Sequence, residues 1–314
     1  MGSAPQKLRE RIVGVVVGLP SLFNNDYSIN HEGMRVHVQF LVDSGVELLM
    51  VSRGVSELAY LSYEEIKAVT RNVVDAAAGR AVVIASTFEW WTGQAVEFVQ
   101  YAQDVGAEAC LVVLPPLTSG YCPALHDNAF CRHFETIAEA TQMGLIIHER
   151  NVASWRGTGA PLSLSLVDRL ADIDQVVGLK MEGGDRGYGR EVVQRTRGRL
   201  AIIGDWGPED FFFSHEYGVS ANITGIGQFA PSIALQFWNH LDGGELKQAR
   251  RLANDVLSPY YARAASMDWV AAMKASMEFV GLPPSPVRPP NAQLTAEQRE
   301  QLRQTMMETG LLAH

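Results

Sequence analysis

The chain has 314 residues, of which 47% are hydrophobic and 19% charged, with a formal net charge of −9. That apolar share argues against disorder, and the acidic balance argues against a nucleic-acid partner, because like charges repel. The opening MGSAPQKLRE is polar and no apolar run is long enough to cross a bilayer, so a cytoplasmic protein without a membrane partner is expected.

Taken in order, IVGVVVG (12–18) reads as a first buried strand, and a helix is predicted over 31–44 with Met34, Val38 and Leu41 on one face. VELLMV (46–51) is the second strand. Ser62 and Glu65 then stand at capping-box spacing and open a helix whose stripe continues through Ile66, Val69 and Val73. AVVIAS (81–86) is the third strand, followed by a helix carrying Ala95, Val99 and Ala102 on one face, and ACLVVL (109–114) is the fourth. A helix at about 128–142 precedes GLIIH (144–148), a short one from about Ser165 precedes QVVGLK (175–180), and a looser stretch around 188–197 precedes LAIIG (200–204). A helix near 208–217 leads to a weak eighth strand, SANIT (220–224). The strands are continuous apolar runs, the pattern of parallel strands buried on both faces. Eight β/α units predict an α/β fold, a (β/α)8 TIM barrel, over residues 8–235. No GxGxxG follows the first strand, which weakens the alternative of an open dinucleotide-binding sheet. Beyond about 236 only helices are read, at 244–263, 266–280 and 295–308, with PPSPVRPP (283–290) between the last two and a second capping-box pair at Thr295 and Gln298. Residues 236–314 are thus expected to form a C-terminal helical extension.

In such barrels the chemistry collects at the C-terminal ends of the strands. Lys180, ending the sixth strand, is the outstanding candidate there. Desolvation lowers the pKa of a lysine, and a neutral amine can attack a ketone. The alternative on position alone is a strand-end lysine reaching out to water.

The residues around these ends, taken together, resemble the dihydrodipicolinate synthase / N-acetylneuraminate lyase family over about 12–305. VVGLKMEGGD is similar to that family's lysine strand, VIASTFEWWTGQAV to its third strand and loop, SLFNNDYSIN to its first-loop Thr-Pro-Phe stretch, and PSPVRPP to its Val-Arg-Pro-Pro segment. The resemblance implies a Schiff-base-forming lyase acting on pyruvate or a 2-keto(-3-deoxy) acid, as an aldolase, synthase or dehydratase, with Lys180 as the imine-forming residue. It implies a homo-oligomer, a dimer or tetramer, and no metal or cofactor enters the expectation. The other reading kept is a non-catalytic or regulatory keto-acid-binding protein on the same fold.

Two departures shape the expected site. The family's Gly-Thr-Thr-Gly-Glu is here Arg53-Gly54-Val55-Ser56-Glu57, so the hydroxyls that would hold a carboxylate are replaced, and the backbone of Gly54, Val55 and Ser56, or a hydroxyl lent by Ser56 or Ser52, is the expected substitute. Glu57 reads as a buried hydrogen-bond acceptor. The family's catalytic tyrosine falls on His148, which can act as general acid and base near neutral pH or pack as an ordinary buried side chain. HERNVA also resembles the Tyr-Asn-Arg run of the 5-dehydro-4-deoxyglucarate dehydratase branch, through Arg150. With Arg150, Ser21 and Ile223 complete the expected substrate-binding set. Phe88, Trp90, Trp91 and Tyr121 are candidates for an apolar wall or for contacts between subunits. Three cysteines without close pairing, and the spacing of His126, Asp127 and His133, speak against a disulfide frame or a metal site.

Overall fold

Eight short runs of Val, Ile, Leu and Ala become eight parallel strands because each can bury both faces, and parallel neighbours satisfy the backbone that burial removes from water. In the computed structural model, which describes residues 4–51, 54–115, 122–149, 161–182, 185–205 and 207–313, they form a closed barrel in sequence order. The strands are β1 (Gly14–Leu19), β2 (Leu48–Val51), β3 (Val82–Ser86), β4 (Ala109–Val113), β5 (Gly144–Glu149), β6 (Val176–Glu182), β7 (Ala201–Asp205) and β8 (Ala221–Thr224). The (β/α)8 expectation stands, with strand boundaries within about two residues of those read from periodicity.

The helices are α1 (Ala4–Arg11), α2 (His31–Asp43), α3 (Tyr63–Ala77), α4 (Thr92–Asp104), α5 (Pro123–Glu139), α6 (Leu164–Ala171), α7 (Arg186–Thr196) and α8 (Pro208–Glu216), and then α9 (Pro231–Asp242), α10 (Leu246–Leu252), α11 (Ser258–Ala265), α12 (Trp269–Phe279) and α13 (Ala296–Glu308). Both capping boxes form, Ser62 with Glu65 on α3 and Thr295 with Gln298 on α13. The helix expected from about 128 starts earlier, at Pro123, whose ring suits a first-turn position where no amide partner is needed. The helix expected over 244–263 is α10 and α11 joined through a π-helical stretch, Ala253–Leu257. Two helices escape the sequence reading. One is α1, which carries a polar face and a single buried leucine, and the other is α9, whose bulky residues carry no clear stop from the strand pattern before it.

Two units pack densely within themselves. One comprises Met1–Gly14, Val82–Trp206 and Phe213–Ile223, the other Val15–Ala81, Gly207–Phe212 and Thr224–His314. In the first, α1 lies against β5 and β6. Leu8 is buried there, and a Cβ at Gly144 would stand 2.5 Å from its Cδ2, so a larger residue would make the leucine shift. In the second, β1 pairs β2 from Val16↔Leu48 to Leu19↔Val51. Tyr260, fully buried on α11, bonds Ser276 on α12 through its hydroxyl at 2.8 Å. No helix among the described residues is long and apolar enough to cross a membrane.

Candidate active site

The register between β5 and β6 decides what faces Lys180. Leu145 pairs Val176, but Ile146 pairs Gly178, so one residue of β6 is skipped. From that irregularity onward His148 sits opposite Lys180. Paired residues of neighbouring strands share a face, and a one-residue slip would send one of them to the other side. Gly178 follows the skipped residue, where a Cβ would come to 3.0 Å from the Ala201 carbonyl oxygen.

Lys180 is 2% exposed and His148 equally buried. Their nitrogens, Nζ and Nε2, are 3.3 Å apart. Glu182, two residues after Lys180 and therefore on the same face of β6, completes a triangle. Its Oε1 lies 3.0 Å from Lys180 Nζ and 2.5 Å from His148 Nε2. Burial alone would raise the Glu182 carboxyl, but the hydrogen bond from His148 and the charge of Lys180 outweigh it and hold the group below the usual carboxylate range. Glu182 was not among the expected site residues. The alternation of a strand, applied to the two residues after Lys180, is the signal that finds it.

Next to His148 but on the opposite face of β5, Glu149 is buried and accepts the Leu162 amide at 3.3 Å. Burial pushes its carboxyl up to about 7, against a lowering hydrogen bond from Tyr188, so it is partly protonated at neutral pH. Asp185, the aspartate of the lysine-strand motif, has a local task. Its Oδ1 accepts from the amides of Gly187 at 2.6 Å and Tyr188 at 3.0 Å and caps α7.

In the second unit the structure brings Ser21 to the β2 loop. Ser21 is fully buried and its hydroxyl donates to the Ser56 carbonyl at 2.6 Å, while the Ser56 hydroxyl donates to the Leu19 carbonyl. The hydroxyls of Ser21 and Ser56 therefore tie the loop to β1. Glu57 is the buried acceptor expected from the sequence. One oxygen takes the Lys274 ammonium, and the other takes the Arg288 amide at 3.1 Å and the Asn291 side chain at 3.3 Å. Lys274 and the Arg288 guanidinium each stand 4.4 Å from the centre of the Phe23 ring. Arg288, from the PSPVRPP segment, also bonds both oxygens of Glu65.

Ile223 lies on β8 and is half-buried. Arg150 and Tyr121 lie outside the described residues. Trp90 packs edge-on against Phe98 with ring centres 5.3 Å apart, whereas Trp91 is 72% exposed. His133 is tied to Thr92 at 3.0 Å, with burial pushing its pKa down to about 4. Asp127 accepts from Ser163 and His126 from the Cys122 amide, so the three residues serve helix ends and helix contacts. Among the described residues no group of three or more His, Cys, Asp or Glu is placed to hold a metal. Cys110 is core, its thiol pushed up to about 12 by burial.

The model of the dihydrodipicolinate synthetase family matches residues 11–309. The chain belongs to that family. It is 29% identical to a 4-hydroxy-tetrahydrodipicolinate synthase of Methanopyrus kandleri over 304 residues, covering 96% of this chain and 98% of that one. It is 26% identical to a probable 5-dehydro-4-deoxyglucarate dehydratase of Rhizobium meliloti over 307 residues, covering 96% and 97%. The fold matches the crystal structure of dihydrodipicolinate synthase from Oceanobacillus iheyensis with a TM-score of 0.86 at 21% identity, over 98% of this chain and 99% of that one. With the family goes its class of chemistry, and the chain is an enzyme of the lyase type.

Proposed function

We propose that the chain is a Schiff-base lyase in which Lys180 condenses with the ketone of pyruvate or of a 2-keto-3-deoxy acid. The observation that carries this reading is the buried Lys180 Nζ with the His148 imidazole 3.3 Å away. An amine at a strand end, with an acid–base group in reach, has what imine formation requires. The iminium then withdraws electrons from the adjacent bond, so that a carbon–carbon bond breaks or forms or a hydroxyl leaves. His148 takes the place of the family tyrosine as proton shuttle. The likeness to both a synthase and a dehydratase supports the aldol and the dehydration arms alike. The backbone of Gly54–Ser56, fastened by Ser21, is the proposed holder of the keto-acid carboxylate, with Arg150 and Ile223 as further substrate contacts. The enzyme works in the cytoplasm as a homo-oligomer, and light scattering that gave a monomer across micromolar concentrations would remove that part of the proposal.

The deciding experiment is borohydride reduction in the presence of pyruvate, or of a panel of 2-keto-3-deoxy acids, followed by peptide mass mapping. The expected adduct is on Lys180. Lys180→Ala and Lys180→Arg should both lose it together with turnover, because arginine keeps the charge but forms no imine. An adduct on another lysine, or none with any keto acid, refutes the reading.

A further inference from the structure

Glu182 is placed to do more than neutralise a neighbour. It is the one carboxylate of the described site that reaches both nitrogens of the Lys180–His148 pair, and it does so through a single oxygen, at 3.0 and 2.5 Å. An ionised carboxylate has no proton to give, so both nitrogens donate to Oε1. Charge-assisted bonds of this kind are short and strong. The cluster of one carboxylate and two bases is neutral when it holds one extra proton, whether that proton sits on Lys180 or on His148. Passing it from one to the other through Oε1 therefore creates no net buried charge, which is the costly event in a low-dielectric site. Glu149, on the other face of β5, is near enough for the Glu182 charge to raise its carboxyl further.

We infer that Glu182 is a catalytic residue of the imine chemistry, the carboxylate that carries the proton between the Lys180 nitrogen and His148 and then faces the iminium as its counter-ion. This rests on Lys180 forming the imine. The step begins with a neutral Lys180 amine and a protonated His148. Nζ attacks the carbonyl carbon, the nitrogen–carbon bond forms, and the C=O π pair moves to oxygen. The nitrogen gives one proton to Glu182 Oε1, the alkoxide takes one from His148, and Glu182 passes its proton on to His148. His148 then protonates the hydroxyl, which leaves as water while the nitrogen lone pair forms C=N. Amine, ketone and one proton have become iminium and water, with Glu182 again ionised beside the new positive charge.

The test uses the full chain with pyruvate as the probe. Exchange of the pyruvate keto oxygen with ¹⁸O-water reads carbinolamine formation and dehydration, and borohydride trapping reads where the imine forms. Glu182→Gln keeps the size of the side chain but neither carries a proton nor balances a cation. It should slow the exchange above the Lys180→Arg background by about 10²–10⁴-fold, while long incubation with borohydride still places pyruvate on Lys180. Glu182→Asp should recover part of the rate, which loss of a merely structural contact would not do. Exchange by Glu182→Gln at the wild-type rate overturns the role of Glu182 and leaves the Lys180 reading intact. Failure of the wild-type chain to trap pyruvate on Lys180 removes the imine reading, and this inference with it.

Discussion

Replacing Glu57 by alanine leaves the Lys274 ammonium buried with no carboxylate beside it. Lys274 is 2% exposed, and its other contacts are the Pro286 carbonyl at 2.9 Å and the face of Phe23. Burial already pushes its pKa down to about 8, with Glu57 opposing that shift. Removing one partner of a buried ion pair costs about 3–5 kcal/mol, a large part of the roughly 5–15 kcal/mol that holds a domain together. The cost depends on pH in a way that identifies its origin. Because the folded state releases the Lys274 proton before the unfolded chain does, stability gains from rising pH between the folded pKa and about 10.4. In the wild type that gain begins near pH 8. Without Glu57 the folded pKa falls further, so the gain begins lower. The difference between the two proteins should then shrink by up to about 1.4 kcal/mol between pH 7 and 8. Urea unfolding at the two pH values measures it. The double variant Glu57→Gln/Lys274→Met should recover most of the loss, since a neutral pair of similar volume leaves no bare charge. A Glu57→Ala protein within about 1 kcal/mol of wild type, or a deficit that does not change with pH, would refute this account.

Three further outcomes are expected. His148→Ala should lose about 10²–10⁴ in kcat while still forming the Lys180 adduct slowly, and full activity in steady-state assays would end its assignment as proton shuttle. Gly54→Val should weaken keto-acid binding in calorimetry without lowering the melting temperature, because a Cβ at Gly54 meets no described atom within 4 Å; unchanged affinity would take the loop out of the substrate site. Glu149→Gln should gain stability relative to wild type as pH rises from 5 to 8. The Glu149 carboxyl is pushed up to about 7 in the fold, so whatever it contributes is complete below the unfolded pKa near 4.3 and is lost as pH passes 7. A pH-independent difference in melting temperature would contradict that.

The periodicity of the sequence was enough to specify the barrel, because a parallel strand buried on both faces must be apolar throughout and the helices between must carry one apolar stripe. It also placed Lys180 near the end of a strand, and the chain's likeness to a known family marked Glu57 as an internal acceptor and pointed to the imine chemistry. The two capping boxes were legible for the same reason, since they are local patterns of side chain and amide. What lay beyond the sequence was everything that depends on register or on distant partners. The skipped residue between Val176 and Gly178 is what brings Lys180 round to His148, and nothing in either strand's own composition announces it. Alternation puts Glu182 on the face of Lys180 only if the strand runs on to residue 182, and its bond to His148 depends on the register with β5. Lys274 lies 217 residues from Glu57, and only the folded chain puts the ammonium against that carboxylate. Local sequence sets which side chains a strand or helix can bury. Which of them meet is set by pairing across the fold, where a shift of one residue exchanges one face for the other.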